Sequence, residues 1–173
     1  MSSELTIAIS GKSGCGNTTV SRILAERLGL RLINYTFHDM ARERGISFEE
    51  LCQLAEQDTR YDLYLDRRQV ELASGGRCVL GSRLAIWLLA TADLRVYLSA
   101  SLAVRARRIA EREGLDPVQA QQDIEARDLR DRNRYLRLYD IDIERYDFAD
   151  LVVDTERGGA EWVADSIMKA LRP

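Results

Sequence analysis

The segment from Gly11 to Thr19, GKSGCGNTT, carries the most specific chemistry in the chain. Three glycines in six residues let the backbone fold so closely that successive N–H groups converge on one point, as anionic phosphate oxygens require. Gly11, Gly16 and Thr18 fit the phosphate-loop frame G-x-x-x-x-G-K-[ST], with Lys12, Ser13, Gly14 and Cys15 between the glycines. Thr18 stands where a hydroxyl ligates Mg²⁺, and Thr19 is a second hydroxyl donor. The frame fails at one point, where Asn17 replaces the lysine. Only two lysines occur among the basic residues, Lys12 and Lys169. Lys12 lies inside the loop and is the candidate cation, an offset resembling the deviant loops of partitioning and arsenite-pump ATPases. The bland alternative is a glycine-rich turn that binds nothing.

A second cluster lies far along the chain. Arg127, Arg130, Arg132, Arg134 and Arg137 fall close together, interleaved with Asp128 and Asp131. Helical spacing places Arg127, Asp131 and Arg134 at i, i+4 and i+7 on one face. Forked guanidiniums suit phosphate and a carboxylate suits ribose hydroxyls. Spacing alone fits a solvated, salt-bridged face better. Arg83 follows an apolar run and sits where open parallel sheets bind ligands. His38, near a helix start, is either a phosphate contact or a half-buried structural residue. Arg108 and Arg112 lie one turn apart. Asp58, Asp62 and Asp66 form a stripe that reads more simply as solvated, and Trp87 and Trp162 read as core.

These residues need elements to hold them. The apolar run 5–10 predicts a strand and 20–29 an amphipathic helix closed by Gly29, giving strand, glycine loop, helix. Further strands are expected at 30–34, 78–82, 94–100 and 149–155. Helices are expected at 36–45, 47–57, about 59–73, 83–90, 102–114, about 117–138 and 161–171. Ser47 and Glu50 have capping-box spacing, and Pro117 opens its helix. Strands alternating with helices imply a parallel sheet covered on both faces. The densely charged stretch 105–147 interrupts that rhythm and reads as a lid or insertion over a site.

Composition bounds the remainder. The 173 residues fit a single domain spanning 1–173. Formal net charge is −3, so the basic excess of a nucleic-acid coat is absent. No apolar run spans a bilayer, and the first ten residues lack a basic leader, so neither membrane nor secretion is expected. Three cysteines without close spacing argue against a disulfide framework or zinc site and suit a reducing, cytoplasmic setting. A single histidine excludes a multi-histidine metal site.

Along nearly its whole length the chain resembles the cytidylate kinases, especially the short archaeal type. The likeness runs through TFHDMARERGISFEEL (36–51), DRRQVELASGGRCVL (66–80), ADLRVYLSASLAVRARRIAEREG (92–114) and DLVVDT (150–155). RDLRDRNRY (127–135) is similar to the R-D-x-x-D-x-x-R signature of bacterial members, which turns the reading of the arginine helix from solvated face to site. The resemblance implies an α/β P-loop kinase: five parallel strands flanked by helices, acceptor-binding helices over 36–74 and a helical lid over about 105–140. It implies phosphoryl transfer from ATP to CMP or dCMP with Mg²⁺. Arg127, Asp131 and Arg134 then hold the acceptor, Arg83 binds phosphate, and Arg108 and Arg112 match lid arginines. A monomer is expected, with no nucleic-acid or membrane partner. Three matches fail: Asn17 for lysine, His38 for an acceptor arginine, and Gly81 for a carboxylate near the metal. The competing reading is a catalytically silent nucleotide-binding module on the same fold. A shikimate- or gluconate-type kinase is disfavoured by the arginine signature.

Overall fold

The computed structural model describes residues 5–171; residues 1–4, which belong to the stretch read above for a leader, lie outside it. Five strands form one parallel sheet in the order β2-β3-β1-β4-β5. They are β1 (Thr6–Gly11), β2 (Arg31–Ile33), β3 (Cys78–Gly81), β4 (Leu94–Ser99) and β5 (Leu151–Asp154). The central strand β1 aligns Ala8 with Leu80 of β3 and with Arg95 of β4. Every residue of β1 is buried, which is why its sequence runs apolar rather than alternating. The chain leaves β1 for one side of the sheet, through β2 and β3, and then crosses to β4 and β5. A crevice therefore opens at the carboxyl ends of β1 and β3, where such sheets bind ligands.

Among the described residues, eight helices cover the sheet: α1 (Asn17–Leu28), α2 (Phe37–Arg44), α3 (Phe48–Gln57), α4 (Arg60–Ala73), α5 (Ala85–Leu88), α6 (Leu102–Glu113), α7 (Pro117–Tyr139) and α8 (Ala160–Ala170). One sheet face packs on α1 and α8 through Ile7, Ile9, Leu24, Val96, Leu98 and Ile167. The other packs Ala8, Leu80 and Tyr97 under α5 and the loop after α7. A smaller core around Met40 and Leu51 binds α2, α3 and α4 together.

Cap chemistry follows the sequence with one exchange. Ser47 Oγ accepts from the Glu50 N–H, but the reciprocal box forms at Thr36, whose hydroxyl accepts from Asp39 N–H while Asp39 accepts from Thr36 N–H. Asp116 caps α7 by accepting from the N–H groups of Val118 and Gln119, with Pro117 at the first turn. The stretch 105–147 is less detached than its charge suggests. Arg105 is only 4% exposed, and α6 leans on the glycine loop. Its guanidinium donates to the backbone carbonyl oxygens of Ser13 and Ala100 and pairs with Asp128 of α7.

Candidate active site

The glycine loop links β1 to α1 and opens a cavity of about 440 Å³ at the sheet's carboxyl edge. Gly14 and Gly16 adopt φ of 85° and 87°, the left-handed region that favours glycine. Gly14 also lies against α6, where an added Cβ would come within 2.8 Å of Arg105 Cβ. Gly11, Lys12, Ser13, Gly14, Gly16, Asn17, Thr18 and Thr19 all line the cavity, as do Arg108 and Arg112. Lys12 Nζ is held by Glu144 at 2.5 Å. Arg108 donates to the carbonyl oxygen of Gly14 and to both oxygens of Thr155, fixing the loop to the end of β5. Arg112 is exposed and pairs with Glu113.

A second cavity of about 510 Å³ adjoins the first. Arg83, Arg127, Asp131 and Arg134 line it with residues 34–37 after β2 and with Asp66 and Gln69 of α4. Thr18, Gly81, Ser82, Arg83 and Arg127 belong to both cavities and form the wall between them. Arg83 reaches across this wall, paired with Asp131 and donating to Ser13 Oγ. Burial, reinforced by the neighbouring Arg127, pushes its pKa down to about 10, so it stays cationic at neutral pH. Asp131 is 4% exposed and also pairs with Arg134, whose other partner is Asp62 at 3.2 Å. Arg127 is exposed and has no ion-pair partner among the described residues, leaving its charge available.

The structure thus gathers most of the sequence-derived candidates and gives three of them other side-chain contacts. Asn17 lines the cavity, but its side chain is spent on the framework. Its amide donates to the carbonyl oxygens of Ile9 and Ser82, and its oxygen accepts from Ser21, so it ties β1 to the end of β3. This accounts for Gly81: a Cβ there would lie 2.8 Å from Asn17 Oδ1 and closer still to Ser21 Oγ. Cys15 turns into the core at 2% exposure, and its N–H is spent on the Lys12 carbonyl oxygen. Burial raises its thiol pKa, which keeps it unreactive. His38 is exposed, stacks on Phe48 at 3.8 Å, and lines neither cavity.

Five contributors had little or no sequence signal. Arg105 is not singled out within the charged stretch 105–147, which reads as a lid or insertion over a site. Ser82 Oγ is buried on the shared wall without a hydrogen-bond partner. Glu144 meets Lys12 across 132 positions. Asp66 and Gln69 lie buried on α4, where an acidic stripe looked solvated. Burial pushes the Asp66 carboxyl up to about 6, although Tyr139 donates to it.

Thr18, on the first turn of α1, lines both cavities and could offer its hydroxyl to a metal ion there. No group of three or more His, Cys, Asp or Glu side chains among the described residues could hold a metal by itself. No helix among the described residues is long and apolar enough to cross a membrane.

Known proteins agree with this arrangement. The model of the cytidylate kinase-like family matches residues 6–157. A protein named cytidylate kinase 2 from Borrelia garinii subsp. bavariensis is 49% identical over 152 residues, covering 86% of this chain and 85% of that protein. A cytidylate kinase from Pyrococcus horikoshii is 41% identical over 169 residues, covering 96% and 88%. Among solved structures, a shikimate kinase from Acinetobacter baumannii aligns with TM-score 0.63 and 21% identity over 98% of this chain and 93% of that one. A deoxyadenosine kinase from M. mycoides with bound dATP aligns at TM-score 0.58 and 16% identity over 98% and 100%. At such identities the solved structures establish the kinase fold alone. Glycine loop, arginine wall, parallel sheet and two sequence relatives of near-equal length converge on one assignment: the chain belongs to the cytidylate kinase-like family.

Proposed function

We propose that this protein transfers the γ-phosphoryl group of ATP to CMP or dCMP, giving ADP and CDP or dCDP. One observation carries the reading: two adjoining cavities, one on the glycine loop and one on the arginine helix, share a wall that holds Arg83 and Arg127. A phosphoryl group moving between them passes that wall. The curated relatives named cytidylate kinase supply the acceptor.

In this reading the loop N–H groups and the amino end of α1 hold the β- and γ-phosphates. Thr18 would hold Mg²⁺, which when bound would supply charge neutralisation at the phosphates. Arg127 faces both cavities and orients the acceptor phosphate, whose oxygen attacks the γ-phosphorus as ADP leaves. Arg83, fixed by Asp131 and Ser13, presents a second fixed charge where negative charge builds up. Asp131 and Arg134 hold the ribose side. The charge lost at Asn17 is offset by Lys12 and by the arginines lining the donor cavity. The α6–α7 pair acts as lid, and the enzyme is a cytoplasmic monomer without nucleic-acid or membrane partners. A silent nucleotide-binding module is not favoured, because the arginines at the shared wall are intact.

Product analysis tests this. Ion-exchange chromatography of protein incubated with ATP, Mg²⁺ and CMP is expected to show CDP rising in step with ADP. ATP unchanged while calorimetry detects CMP binding would overturn it in favour of the silent module.

A further inference from the structure

The inward face of α4 presents hydrogen-bond acceptors to the acceptor cavity. Asp62, Asp66 and Gln69 follow at i, i+4 and i+7 and are 7%, 9% and 5% exposed. Asp62 is taken up by Arg134. Asp66 and Gln69 line the cavity. The Gln69 side-chain nitrogen donates to the Tyr35 carbonyl oxygen at 2.9 Å. A carbonyl can only accept, so this bond fixes which end of the amide faces which way. Gln69 Oε1 is thereby left buried without a hydrogen-bond partner. Asp66 Oδ2 accepts from Tyr139 at 2.6 Å, and Oδ1 has no donor among the described residues. A buried acceptor left unpaired is costly, so this face is complete only when a ligand brings N–H groups to it.

Position says which part of the ligand that is. Arg83 and Arg127, on the wall shared with the glycine loop, mark the phosphate end. Residues of α4 and the segment after β2 line the cavity away from that wall, and Tyr35, Phe37 and Leu65 offer flat and apolar surface to a ring there. We propose that Gln69, supported by Asp66, is the residue that reads the exocyclic amino group of the acceptor base and so sets the cytosine preference of the proposed function. This rests on the acceptor cavity being a nucleoside monophosphate site. An amino group brings two N–H donors to two waiting acceptors. A keto oxygen brings a third acceptor and leaves both unpaired, a form of rejection stronger than the loss of one contact.

Calorimetric titration with CMP and UMP, alongside ADP release with each, tests the proposal on wild type, Gln69→Leu, Gln69→Glu and Asp66→Asn. Wild type is expected to bind CMP about 100-fold or more tightly than UMP. Gln69→Leu should bring the ratio to within about tenfold, chiefly by weakening CMP. Gln69→Glu keeps an acceptor and should keep the preference despite losing the Tyr35 bond, which a merely structural role would not do. Asp66→Asn offers an N–H to a keto oxygen and should improve UMP binding; it decides the matter if Gln69→Leu does not fold. Equal wild-type affinity for CMP and UMP, or an unchanged ratio in the folded variants, would overturn the proposal. A binding preference that collapses as described without any turnover would leave it standing and defeat the phosphoryl-transfer reading. Turnover of CMP and UMP alike would do the reverse.

Discussion

In the proposed mechanism Lys12 and Arg127 divide the work of the missing loop lysine, and their surroundings say how each should respond to removal. Lys12→Ala is expected to lower turnover by about 10²–10³-fold, the usual loss for a transition-state cation. Glu144→Gln should keep most turnover, because it removes only the partner at 2.5 Å and leaves the charge in the cavity. Equal defects in steady-state assays would make Lys12 a strut for Glu144 instead. Arg127→Ala should weaken CMP binding by about 2–4 kcal/mol, as expected for a charge-assisted phosphate contact, and unchanged calorimetric affinity would contradict its role. Asp66 adds a stability prediction. Burial raises its folded pKa from 3.8 to about 6. The folded state therefore binds more protons than the unfolded state between these values, and stability falls as pH rises through them. Above pH 6 the buried charge costs up to about 3 kcal/mol. Asp66→Asn should raise the melting temperature at pH 8, with the gain disappearing near pH 4. A gain that is constant across this range would show that Asp66 titrates normally. The glycine loop was legible because its residue types are prescribed by phosphate geometry. Asn17 was not, since nothing in one sequence shows that its amide is spent on the carbonyl oxygens of Ile9 and Ser82.

Helices α6 and α7 show why burial matters more than composition at the level of elements. Their charge density suggests a free lid, yet Arg105 anchors α6 by joining the Ser13 carbonyl oxygen to Asp128. The loop and the helix pair are therefore one mechanical unit at this end, and Gly14 is the contact point. Gly14→Ala must adopt a φ near 85° and push its methyl into α6 backbone. It should cost about 2–4 kcal/mol by combined strain and overpacking. Thermal denaturation reads this, and an unchanged melting temperature would mean that α6 moves away freely. The β-α rhythm itself was readable, since largely buried strands such as β1 and β3 run mostly apolar and end on glycine. The Thr36 box was overlooked because Asp39 stands where the usual glutamate signal would be. The inward polar face of α4 was overlooked because an acidic stripe at helical spacing looks the same whether it meets water or Arg134 and Tyr139.

At the scale of the whole molecule the strand order does the organising. Because β1 is central and β3 lies beside it, the glycine loop and Arg83 emerge at one crevice, and α7 closes it with Arg127 and Asp131. Two cavities meeting at a cationic wall make one demand, that a donor and an acceptor be held together. The measurement that tests this most directly is kcat/KM by coupled ADP release with ATP and Mg²⁺ across CMP, dCMP, AMP and GMP. CMP and dCMP are expected to exceed AMP and GMP by at least about 100-fold, the discrimination available when a mismatched base leaves buried polar groups unpaired. Turnover of AMP equal to or above that of CMP would contradict the account.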